Sequence, residues 1–135
     1  MFENFTHIAA LLMSSLLFGG MLLFSASFAA FLFKSLPPLE ATALIRKAFP
    51  SFYMFVAITA LITASLALAS SFYSAGILVL VGLSTIPTRQ ILMPAINTAT
   101  DTKRKQRFLV LHSLSVFITL THIVAVGFVI VDLAT

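Results

Sequence analysis

Three histidines and one arginine are the residues of this chain best suited to chemistry in an apolar setting: His7, Arg89, His112 and His122. A neutral imidazole can take a metal or heme iron through one ring nitrogen, and a guanidinium can clamp a phosphate or a propionate with paired N–H groups. His112 and His122 lie in LHSLSVFITLTHI, residues 111–123, with Ser115 and Thr119 between them. Offsets of 0, 3, 7 and 10 place all four polar residues on the a/d seam of a helix in a left-handed bundle. The two histidines are then about 15 Å apart along the axis, too far to share one metal ion, so a ligand partner for either must come from another helix. His7 is only a few residues into the chain, and pairing it with His122, about 15 Å deep, requires a tilted or shortened first helix.

Arg89 lies between Pro87 and Pro94. It reads either as a snorkelling side chain at headgroup level or as an anion clamp for a lipid phosphate or heme propionate, assisted by Gln90 and Asn97. If a heme b is bound, its cofactor-binding residues are expected among His7, His112, His122 and Arg89. Without one, His112 and His122 are expected to hydrogen-bond across the bundle, with a hydroxyl as the partner of His122. No catalytic residues and no metal site are expected. The chain has no cysteine, and it lacks paired carboxylates, HExxH, GxSxG and a P-loop. Met13, Met21, Met54 and Met93 are scattered and read as packing rather than as copper ligands. Glu3, Glu40, Asp101 and Asp132 all fall outside the spans or at their very ends, which leaves no intramembrane acid to relay protons.

The elements that must position these residues follow from composition. Of 135 residues 60% are hydrophobic and 9% charged, with a mean hydropathy of +1.11, far from the roughly 25% charged of a soluble domain. Charged residues leave gaps of 30 residues after Glu3, 41 after Lys47 and 24 after Arg107. At about 20 apolar residues per span these hold one, two and one helices. The sequence therefore predicts an all-α integral membrane four-helix bundle, a single domain over residues 1–135, with spans at about 5–33, 51–71, 75–97 and 108–133. A short interfacial helix is expected at 37–47, with Pro50 opening the second span, Gly76 breaking the turn SSFYSAG, and DTKRKQR as a loop. MFENF has no basic n-region, so the first apolar segment is expected to be retained as a span.

Four spans put both termini on one side. All eight Lys and Arg residues fall on the other side, in the first and third loops and the span ends next to them. By the positive-inside rule the termini are expected outside and the basic loops in the cytoplasm of a bacterial inner membrane. The net charge of +4 is thus a topology signal with an anionic-lipid contact rather than a sign of nucleic acid. In the first span Ser15 and Gly19, Ser25 and Ala29, and Ala26 and Ala30 repeat at four-residue spacing. Such pairs let backbones approach, so this helix is expected to pack closely in the bundle, against a protein partner or against a second copy.

The segments FGGMLLFSASFAAFLFKSLP, ATALIRKAFPSFY, ILMPAINTATD and RFLVLHSLSV resemble the bacterial relatives of the transmembrane-protein-205-like family, a four-span domain of unknown function. That resemblance implies the fold and topology and carries no activity. The layout is also similar, more distantly, to copper-resistance-D-type proteins and the membrane protoporphyrinogen oxidase. There a histidine early in the first helix, matched by His7, and a lysine early in the third bind heme; here SAGILVLVGL has Gly76 in the lysine's neighbourhood. The expected function is an accessory or structural subunit of a membrane complex. The alternatives are a b-type heme redox protein and a small-solute or metal transporter.

Overall fold

Residues 1–135 are described by a computed structural model built from four helices: α1 (Phe2–Ser35), α2 (Pro38–Ala67), α3 (Phe72–Asp101) and α4 (Lys105–Ala134). Each is long and apolar enough to cross a bilayer, and there is no strand. Both α1 and α3 pack on α2 and on α4, giving an up-down-up-down bundle with both termini at one end. The opposite end carries the α1–α2 and α3–α4 connections, with all the cations in those loops or in the helix segments leading to them, and is called here the basic end.

Local chemistry sets the helix boundaries. Leu36 is extended, at φ −126° and ψ 154°, the conformation a following proline favours, and Pro38 opens α2 with Glu40 in its first turn. The Ser71 hydroxyl accepts the Ser74 N–H at 3.1 Å and caps α3. At its other end α3 stops in a Schellman turn. Lys103 takes φ 55°, the Arg104 N–H bonds the Ala99 carbonyl, and the Lys103 N–H bonds Thr100.

The structure revises three boundaries. The expected interfacial helix at 37–47 is helical, but it is not a separate element: α2 runs unbroken through Pro50 to Ala67. A proline removes one rung of the ladder, and a helix supported by packing on both sides tolerates that loss. Gly76 is not a breaker but lies within α3, which already begins at Phe72. The basic loop shrinks to residues 102–104, because α3 reaches Asp101 and α4 starts at Lys105. The irregularity expected late in the third span is a π-helical stretch, Thr88–Leu92, where the Met93 N–H reaches back five residues to Thr88; a second one, Leu23–Phe28, interrupts α1. The added residue of a π turn absorbs the hydrogen bond that Pro94 cannot make, and α3 continues.

Packing is uneven along the bundle. The core joins Leu17 and Met21 of α1, Val56 of α2, Leu78 of α3, and Val126 and Val129 of α4. No residue of α4 before Ile123 is buried, and α1 buries only Leu32 after Met21. The core therefore fills the half nearer the termini. Toward the basic end Phe24 replaces it, stacked on Phe52 with ring centroids 4.4 Å apart and edge-on to Phe49 at 5.2 Å. The most extensive helix contact is between α2 and α3, where Ala60, Ala64, Ala75 and Gly82 are buried. There a Cβ added at Gly82 would lie 2.9 Å from Leu61. On α1 it is Gly20 that packs closely, where an added Cβ would lie 2.9 Å from the Phe55 ring of α2.

Candidate functional site

Gly127 fixes how α1 and α4 line up: a Cβ there would meet the Phe18 ring at 3.4 Å. From that level His7 lies 11 residues toward the terminal end of α1 and His122 lies 5 residues toward the basic end of α4. At 1.5 Å per residue the two histidines are about 24 Å apart along the axis. The length of α1 extends it past the bundle rather than tilting His7 inward, and Phe2, Phe5 and Ile8 are exposed there. A heme held jointly by His7 and His122 does not fit this arrangement.

His122 instead meets a hydroxyl, as its position on the seam suggests. Its Nε2 is 2.7 Å from Ser84 Oγ on α3, and Ser84 can also donate to the Val81 carbonyl at 3.2 Å. Ser115, two seam positions toward the basic end, lies 3.3 Å from the Tyr53 hydroxyl of α2. His112 departs from the expected seam. It is exposed, and its ring stacks on Phe108 at 5.3 Å and 8°, because α1 packs on α4 mainly through the residues before Leu23. The seam is thus covered only from Ser115 onward. Replacing His122 with Leu removes the hydrogen bond while keeping the volume apolar. We expect a loss of about 0.6 kcal/mol in unfolding in detergent, the average worth of such bonds between spans, with His122→Gln recovering most of it.

Arg89 lies within the π-helical stretch of α3. Its Nε donates to the Pro50 carbonyl of α2 at 3.1 Å and its Nη1 to Gln90 Oε1 at 3.3 Å. Gln90 therefore assists it, as expected. The Asn97 side chain does not, and the Asn97 carbonyl instead accepts from Arg46 at 3.4 Å.

Two polar locks escape a reading of the sequence. At the basic end Arg46 grips Asp101 with two bonds, 2.8 and 3.2 Å. The carboxylate is 62% exposed, so this pair orients the helix ends more than it stabilises them. At the terminal end Ser71 and Ser74 both donate to Asp132 Oδ2 at 2.6 Å, tying the start of α3 to the end of α4. Only the Ser-x-x-Ser spacing, a helix-cap pattern, was there to hint at it.

A family model described as a domain of unknown function (DUF4149) matches residues 12–106, and the chain belongs to that family. Neither a curated protein nor a solved structure matches it.

Proposed function

We propose that this member of the DUF4149 family is a non-enzymatic, four-span inner-membrane protein that acts as an accessory or structural subunit, docking through α1 with its basic loops in the cytoplasm. One observation carries the reading. The face of α1 that enters the core is Ala10, Ser14, Leu17 and Met21, whereas Ser15, Gly19, Ala26 and Ala30 point outward. Ser25 and Ala29 stand half-buried at the border between the two faces. A Cβ on Gly19 would meet nothing within 4 Å. The bundle leaves this small-residue face unused, and such faces let another helix approach closely where lipid tails supply no hydrophobic drive. The more specific likeness to transmembrane-protein-205-like relatives agrees with a four-span, non-catalytic role. The separation of His7 from His122 favours it over a heme redox protein, and the protein is expected to lack a Soret band when expressed with heme supplied.

The test is association in mild detergent. Wild type should migrate as a complex, either with itself or with a co-purifying partner, and Gly19→Ile should dissociate it. The variant's own thermal midpoint should not move, since the added side chain meets no atom of the bundle. A monodisperse wild-type monomer without a partner, or a complex indifferent to Gly19→Ile, would overturn the proposal.

A further inference from the structure

Arg89 is a fixed cation with no acid of its own. The chain has four carboxylates: Glu3 sits in the first turn of α1 at the terminal end, Glu40 is exposed at the start of α2, Asp132 is held by Ser71 and Ser74, and Asp101 is taken by Arg46 in the only ion pair of the structure. None is left for Arg89. It lies 17 residues, about 25 Å, along α3 from Phe72, near the basic-side edge of a hydrocarbon core about 30 Å thick. A half-buried guanidinium at that edge is partly dehydrated, and a counter-ion beside it offsets the cost of its charge.

The geometry narrows what could supply the charge. Two of the five guanidinium N–H groups are used, by the Pro50 carbonyl and the Gln90 amide. One hydrogen on Nη1 and both on Nη2 remain without a protein acceptor. Those two bonds also fix the orientation of the plane, so the free edge is a rigid fork, and a fork of this kind matches two oxygens of a phosphate. Lys47 stands one turn before Pro50 on α2, on the headgroup side. In the other direction Met54 and Ile58 continue the Pro50 face of α2, and Ile86 lies one turn from Arg89 on α3; all three are exposed and apolar. Cationic donors at the headgroup level with exposed apolar side chains below them have the layout of a phospholipid. The π-helical stretch that carries Arg89 is a local irregularity of the sort found at functional sites.

We propose that Arg89, oriented by Pro50 and Gln90, binds the phosphate of an anionic phospholipid whose headgroup sits between α2 and α3 at the basic end. The lipid supplies the counter-charge the chain omits, and its acyl chains lie over Met54, Ile58 and Ile86. This site is separate from the α1 face, so the two proposals stand or fall independently.

Native mass spectrometry of the full chain, purified in mild detergent and equilibrated with phosphatidylglycerol or phosphatidylcholine, tests it. Wild type should retain phosphatidylglycerol in preference to phosphatidylcholine. Arg89→Gln should lower that retention about tenfold, the worth of one charge-assisted bond. Arg89→Lys keeps the charge and guards against misfolding as the cause, and it should also lose retention because the fork is gone. Lys103→Gln, in the exposed loop, should change nothing. Equal retention by wild type and both Arg89 variants would overturn the proposal, as would an equal loss in Lys103→Gln, which would mean general surface attraction. Thermal stabilisation by inorganic phosphate alone, matching that by phosphatidylglycerol, would overturn the assignment to a lipid.

Discussion

Gly82→Leu should leave little folded bundle in detergent, seen as loss of the thermal transition and of monodisperse protein. The α2–α3 approach is close at Gly82: a Cβ there lies 2.9 Å from both Leu61 Cγ and Cδ2, and 3.4 Å from the Ala57 carbonyl. A single methyl group there must displace the branch of Leu61 and crowd backbone, and overpacking of that kind costs about 1–3 kcal/mol. A leucine adds three further carbons with nowhere to go between two helices held in contact over most of their length. Between spans lipid gives no compensating hydrophobic gain, so close packing is the main cohesive force and its loss is felt fully. Gly82→Ala should fall between the two and regain stability when combined with Leu61→Ala. If Gly82→Ala alone matches wild type, α2 and α3 are not packed as closely as described.

The sequence signals that were legible are those set by composition and by spacing along one helix. Charge gaps located the four helices, because a bilayer core excludes charge over a fixed length. The helical register also pointed His122 toward a hydroxyl partner, and Ser84 is that partner. What could not be read depended on relations between helices. Small residues at four-residue spacing mark a face for close packing without saying whether it turns inward, so the stripe in α1 drew attention while the approach through Ala57, Ala60 and Gly82 went unnoticed. Pro50 suggested a boundary because prolines disfavour helix, yet the local loss is outweighed by packing along α2. His112 shares a seam with His122, but a seam is interior only where another helix covers it. Arg46 and Asp101 are 55 residues apart, and nothing short of the assembled bundle brings them together.

Leu17→Ala should cost about 2 kcal/mol in unfolding in detergent, while Leu114→Ala, the same truncation in the other half of the bundle, should stay within about 0.5 kcal/mol of wild type. Leu17 is fully buried among α1, α2 and α4, and removing its isobutyl group leaves a cavity in the terminal half, where neighbouring Val56 and Val126 are themselves locked. Part of the cost measured in soluble proteins comes from returning apolar surface to water. In a membrane that part is absent, which sets the expectation at the lower end of the usual range. Leu114 is 46% exposed and lies in the half of α4 that buries no residue, so its truncation mostly exchanges leucine contacts with lipid or detergent for others of the same kind. Ser14→Ala, three residues from Leu17 on the same face, serves as a control for disturbing that face. Its hydroxyl is buried without a hydrogen-bond partner, so removing it should not destabilise and should raise the midpoint slightly. Equal costs for Leu17→Ala and Leu114→Ala would mean the two halves are equally packed. The uneven packing would then be wrong, and with it the explanation for why His112 lies outside the seam.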